Sequence, residues 1–135
     1  MENGYVFIGE SIFPTLLAIS EMEQSRGLMW QEWPPPVMSF VYGAPRMNIF
    51  WMKNTPSPLD IIFTCKGRVT EICKGEPYST AAVGGWDVSD LIIELPYGTA
   101  ESSGIKVGQS VGLVKPTFEE LKKIVAKKYP GIVKI

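Results

Sequence analysis

The sequence predicts a mainly β fold of the α+β kind. The expected form is a small, partly closed β-barrel or compact sheet assembly, with one short early helix and an added amphipathic C-terminal helix. Three observations carry this expectation. Thirteen glycines and eleven prolines in 135 residues cut the chain into short elements. The apolar runs between them are of strand length, about four to eight residues. Two capping boxes, Ser20 with Glu23 and Thr117 with Glu120, mark helix starts toward either end.

The elements follow in order. Tyr5–Ile8 reads as a strand. Phe13–Ile19 reads as a second, with Pro14 near its start, where a missing donor is tolerated. Ser20 then caps a helix of about two turns, which stops at Gly27, a residue suited to a left-handed helix end. Trp30–Pro36 is a loop that three consecutive prolines stiffen toward polyproline II. Val37–Tyr42 and Met47–Met52 read as strands joined by a turn at Gly43-Ala44-Pro45. Leu59–Cys65 and Arg68–Cys73 form a hairpin that turns at Lys66-Gly67. Gly75–Asp90 lacks clear periodicity and reads as a long connection. Leu91–Leu95 is a continuous apolar run, hence a central strand, and Pro96 ends it. A helical turn fits Tyr97–Ser103, and Ser110–Val114 is a last strand. From Thr117, Phe118, Leu121, Ile124 and Val125 recur at helical spacing, with Tyr129-Pro130-Gly131 as the stop. Residues 1–114 therefore read as a β domain and 115–135 as a helical extension packed on it.

Composition narrows the function. Apolar residues make up 45% and charged residues 20%, the profile of a globular chain. Thirteen basic and fourteen acidic residues nearly cancel, so no global field recruits nucleic acid. Six lysines and two glutamates from Lys115 onward give that segment a net +4, and the preceding residues a net −5. The lysines Lys122, Lys123, Lys127 and Lys128 read as a solvated helix face. There is no histidine, which removes Ser-His and Cys-His catalysis and the commonest zinc ligand. Cys65 and Cys73 have neither metal-site nor CxxC spacing. They sit at opposite ends of one hairpin, beyond disulfide reach, which points weakly to a reducing compartment. No metal or cofactor is expected. No apolar run approaches a membrane span, and no leader-like start is present, so the expected location is cytoplasmic.

The densest cluster of specialised side chains is Phe50-Trp51-Met52-Lys53-Asn54-Thr55-Pro56-Ser57-Pro58-Leu59-Asp60-Ile61-Ile62-Phe63. Two apolar segments flank a polar elbow. As structure, the elbow is a corner restricted by Pro56 and Pro58, with Asn54 fixing the turn and Asp60 accepting backbone N–H groups or pairing with Lys53. As a site, Trp51 is an apolar wall, Lys53 grips an anion, and Asn54 and Asp60 complete the recognition. Trp30 and Trp33, beside Pro34-Pro35-Pro36, form an aromatic loop that either covers a barrel end or contacts a partner.

Five ordered blocks resemble the domain of unknown function 192 family. They are Arg26-Gly27-Leu28-Met29, Met38-Ser39-Phe40-Val41-Tyr42, Phe50–Thr55 with Pro58-Leu59-Asp60-Ile61, Glu94-Leu95-Pro96-Tyr97-Gly98 with Ala100, and Gly104-Ile105-Lys106-Val107-Gly108. The resemblance spans roughly residues 5–114 and implies the family's mainly β fold. It marks Gly27, Met29, Pro58, Glu94, Gly98 and Gly108 as fold-defining. It implies no activity, since the family is uncharacterised. The helix from Thr117 lies beyond the usual family core.

These residues point to a non-enzymatic binding or interaction module acting on a small polar ligand or a protein partner. The candidate residues are Trp51, Lys53, Asn54, Asp60, Trp30 and Trp33. One alternative is a structural component of a homo- or hetero-assembly, such as a virion or envelope complex. Another is a small hydrolase using Asp60 and Glu94, which requires both carboxylates in one pocket. Asp87, Asp90 and Glu101 read as solvated surface.

Overall fold

A computed structural model of the chain describes residues 1–114. The elements are β1 (Glu2–Ile8), β2 (Ser11–Ala18), α1 (Glu21–Arg26), β3 (Met38–Phe50), β4 (Leu59–Cys65), β5 (Arg68–Gly75), β6 (Val83–Pro96), α2 (Thr99–Ser102) and β7 (Val111–Val114). The seven strands form one sheet in the order β5-β4-β6-β3-β2-β1-β7. Neighbours are antiparallel except β2 and β3, which pair in parallel over Leu16–Ala18. The two edges then meet at one end. Val69 N–H donates to the Gln109 carbonyl at 3.0 Å, Gly108 N–H to Val69 at 2.8 Å, and Val111 N–H to Gly67 at 3.0 Å. The mainly β, partly closed form read from the sequence is therefore the observed fold. The helix expected from Thr117 lies outside the described residues.

The sheet buries both faces. Met38, Phe40, Leu59, Ile61, Phe63 and Ile92 belong to one core cluster. Val6, Ile8, Ile62, Val69, Ile93 and Leu95 belong to the other. Side chains alternate across a strand, so β4 sends Ile61 to one core and Ile62 to the other, and nearly all of it is buried. Polar alternation is absent there because neither face of β4 meets water.

Two expectations change. The predicted turn at Gly43-Ala44-Pro45 is an irregularity inside one long strand, where the β3–β6 register shifts between Val41 and Arg46. The predicted connection from Gly75 to Asp90 is shorter, because β6 begins at Val83. Its first half lacks periodicity for a local reason. Gly84 and Gly85 both have positive φ, and Gly84 lies under the Phe63 ring, where a Cβ would collide. Exposed Met47 and Val88 pair across the same arm.

α1 forms as its cap predicts. Glu23 N–H donates to Ser20 Oγ at 3.1 Å, and Ser20 N–H donates back to Glu23 Oε1 at 3.0 Å. Gly27 ends it at φ 50°, and its N–H donates to the Glu23 carbonyl. Cys65 and Cys73 are unpaired, and Cys73 sits opposite Ile61 in the hairpin register. Among the described residues, no helix is long and apolar enough to cross a membrane.

Candidate functional site

The elbow is a braced corner. Asn54 adopts a left-handed conformation at φ 56°, which asparagine tolerates better than most residues. Its carbonyl accepts from Trp30 N–H at 2.8 Å. Ser57 Oγ donates to the Gln31 carbonyl at 3.0 Å. On the other side, Met52 N–H donates to Ser79 at 2.8 Å, and the Thr55 carbonyl accepts from Tyr78 N–H at 3.0 Å. Met52, Thr55 and Ser57 are buried. The corner thereby holds the Leu28–Gln31 segment over one face of the sheet, with Met29 N–H bonded back to Arg26. Pro58 joins the corner to β4, and its carbonyl accepts from Tyr97 N–H at 3.0 Å.

The six candidate binding residues do not converge. Trp51 is 50% exposed and lines a cavity beside the corner. Lys53 Nζ lies 5.2 Å from the centre of its ring. Asn54 acts through its backbone. Asp60 faces away: its Oδ2 accepts from Gly98 N–H at 3.0 Å and Ala100 N–H at 2.9 Å. It therefore caps α2 from β4, and Gly98 itself contributes no side chain to that cap. No ion pair joins Asp60 to Lys53 among the described residues. Trp30 is exposed beside Arg26, whose guanidinium carbon is 5.8 Å from the ring centre. Trp33 lines a different cleft with Pro56, Pro58 and Tyr97.

Register separates the proposed carboxylate pair. Glu94 pairs with Ile61 and Asp60 with Leu95. Ile61 and Leu95 belong to different cores, so Glu94 and Asp60 occupy opposite faces of the sheet. They do not form the two-carboxylate arrangement that the hydrolase reading requires.

Glu94 instead stands in the cavity that Trp51 lines. The cavity measures about 370 Å³ and lies between α1 with its following segment and β3. Glu94 rises from β6 between Met38 of β3 and Ile61 of β4. It is 4% exposed. No described donor or cation engages its carboxyl, and burial alone pushes the group up to about 8. Every sealed side-chain oxygen among the described residues has a hydrogen-bond partner, so the unbonded Glu94 oxygens open into the cavity. A Cβ at Gly27 would lie 3.7 Å from Glu94 Oε1 and 3.4 Å from Phe40 Cζ. The bare glycine backbone thus forms part of the wall above the carboxyl.

Aromatic rings surround this floor. Phe40 and Phe50 meet edge to face, with centroids 4.9 Å apart. Tyr42 is half-buried; burial raises its hydroxyl pKa, the Arg46 charge opposes that shift, and Glu94 adds to it. Arg46 stacks on Tyr42 at 4.8 Å. The arrangement offers a buried carboxyl, its pKa raised by burial, at the floor of a partly open cleft whose lining is both aromatic and polar and includes Arg26 and Arg46. The sequence offers Glu94 as a fold position or as a hydrolase carboxylate beside Asp60, and does not single out Phe40, Tyr42 or Arg46 as site residues. The available signal was a carboxylate inside Leu91-Ile92-Ile93-Glu94-Leu95, a run otherwise fit for burial. Among the described residues, no cluster of three or more histidine, cysteine, aspartate or glutamate side chains is arranged to hold a metal.

Comparison with known proteins agrees with this fold. The family model for domain of unknown function 192, described as an uncharacterized ACR, matches residues 8–113. A structure from Sinorhizobium meliloti 1021, described as that of a proposed transcription regulator, is similar at 26% identity and TM-score 0.77, over 83% of this chain and 94% of that one. A protein of unknown function from Novosphingobium aromaticivorans DSM 12444 is similar at 31% identity and TM-score 0.71, over 82% of this chain and 83% of the other. No curated protein matches. The chain belongs to the domain of unknown function 192 family.

Proposed function

We propose that this family member is a binding module for a small organic ligand, which enters the cavity between α1 and β3 and meets Glu94 at its floor. The observation supporting it is the Glu94 carboxyl itself, buried and unpartnered yet open to the cavity. Such a group is costly for folding alone, and a structural role would have matched it with a donor, as Asp60 is matched. Convergent polar groups in a ring-lined concavity suit ligand recognition. Trp51 is the elbow residue that belongs to this site. Lys53 and Asn54 support it from outside the cavity, and Trp30 flanks the mouth.

The test is a fragment screen by amide chemical-shift mapping on the whole chain. Ligands should shift Gly27, Leu28, Phe40 and Trp51 together, and Glu94→Gln should change their affinity while Trp33→Ala leaves it intact. Hits that cluster elsewhere and ignore Glu94 refute the reading.

A second reading is supported by an exposed apolar arm. Met47, Ile49, Val88 and Trp86, the last 85% exposed, lie on the outer halves of β3 and β6. Exposed apolar patches of this kind suit a protein partner or a second copy. Strictly monomeric sedimentation, with no change for Trp86→Ala in any complex, would remove it. A nucleic-acid role is not proposed, because residues 1–114 carry seven basic against twelve acidic side chains.

A further inference from the structure

Resting on the cavity reading above, we propose that the ligand is a small protonated amine, whose ammonium group sits against the Glu94 carboxylate in the cavity that Tyr42, Phe50 and Trp51 also line. The argument is one of matching the floor. No described cation or N–H donor bonds the Glu94 carboxyl, whose shift has burial as its cause, while Arg26 and Arg46 stack on Trp30 and Tyr42 instead. An anion at the floor would meet a carboxyl with no compensating charge. A neutral acceptor would gain one ordinary hydrogen bond from the protonated carboxyl, modest in net energy. An ammonium gains a charge-assisted bond to the ionised carboxyl, the strongest single contact this floor offers. The arginines at the mouth suit an anionic group at the ligand's other end.

The protonation balance follows. The free site holds a protonated carboxyl at neutral pH. When a protonated amine binds, Glu94 gives its proton to solvent and the complex holds an ammonium–carboxylate pair. The other ionisable groups facing the cavity are Tyr42 and Arg46 from β3, and Glu21 and Arg26 from α1. The chain has no histidine to supply the proton instead.

Three probes of one shape decide it: benzylamine, benzamide and benzoate, titrated into the whole chain and followed by amide shifts and calorimetry. Benzylamine should bind at least tenfold tighter than either analogue at pH 8. Its affinity should weaken by up to tenfold per unit as the pH falls below the Glu94 value, about 8. At pH 7, calorimetry in buffers of different ionisation enthalpy should show release of nearly one proton. Glu94→Gln should lose at least tenfold in benzylamine affinity and abolish the proton release, and should change benzamide affinity far less, because benzamide brings no charge to pair. If benzamide or benzoate binds as tightly as benzylamine at the same residues, or no proton is released, the amine proposal falls and the cavity reading stands. If none of the three shifts the cavity residues and the fragment screen is also silent there, both fall.

Discussion

Glu94→Gln tests the heart of the site without any ligand. The carboxyl moves from an ordinary 4.5 to about 8 on folding, through burial. A group raised in this way binds more protons folded than unfolded between those two values. Its contribution is therefore most favourable below about 4.5 and is lost as the pH climbs toward 8. The loss runs at up to about 1.4 kcal/mol per pH unit. By pH 7 it amounts to about 3 kcal/mol, and over the full span from 4.5 to about 8 to roughly 5 kcal/mol. Glutamine keeps the shape and removes the titration. Its amide needs its own partners, so absolute stabilities are a poor comparison and the slope is the readout. Urea unfolding midpoints at pH 5, 6, 7 and 8 should fall steeply for the native chain and much less for Glu94→Gln. Parallel profiles would show that Glu94 ionises without penalty in the folded chain, and the account of a buried, unpartnered carboxyl would fail.

Other perturbations separate the site from its scaffold. Asp60→Ala leaves the Gly98 and Ala100 N–H groups without their acceptor and should destabilise by about 2–4 kcal/mol in denaturant titration, with affinity at the cavity retained. Trp51→Ala, at a half-exposed position, should change stability by less than about 1 kcal/mol while weakening ligands in shift titrations; a melting-temperature change with binding unaltered would remove Trp51 from the site. Gly84→Ala meets the buried Phe63 ring at φ 80° and should cost about 2 kcal/mol or more in thermal unfolding. Cys73, pushed up to about 12 by burial and by its hydrogen bond to Glu71, should react with iodoacetamide at pH 8 far more slowly than a free thiol, as peptide mapping would show.

Much of the framework was legible because it is local. Ser20, Glu23 and Gly27 define α1 through contacts within one helix, and Lys66-Gly67 turns a hairpin of adjacent strands. Leu91–Leu95 reads as a central strand because it is apolar at every position but Glu94. At Gly43-Ala44-Pro45 a bulge and a turn share the same residues, and only the pairing with β6 distinguishes them. The elbow drew attention for the density of its side chains, and much of that density serves the corner. Asn54 works through its carbonyl, and Asp60 serves a helix thirty-eight residues further on in the chain.

The sequence by itself determined the mainly β class, the family, the early helix and the absence of histidine chemistry. These rest on residue type and short spacing. Tertiary structure alone decided that Asp60 and Glu94 are separated by the sheet, and that Glu94 shares a cavity with Trp51, Gly27 and Tyr42. The reason is strand register. Neighbouring positions alternate between faces, so which carboxylate meets which wall depends on the pairing of β6 with β3 and β4, and no local pattern in the chain encodes that pairing.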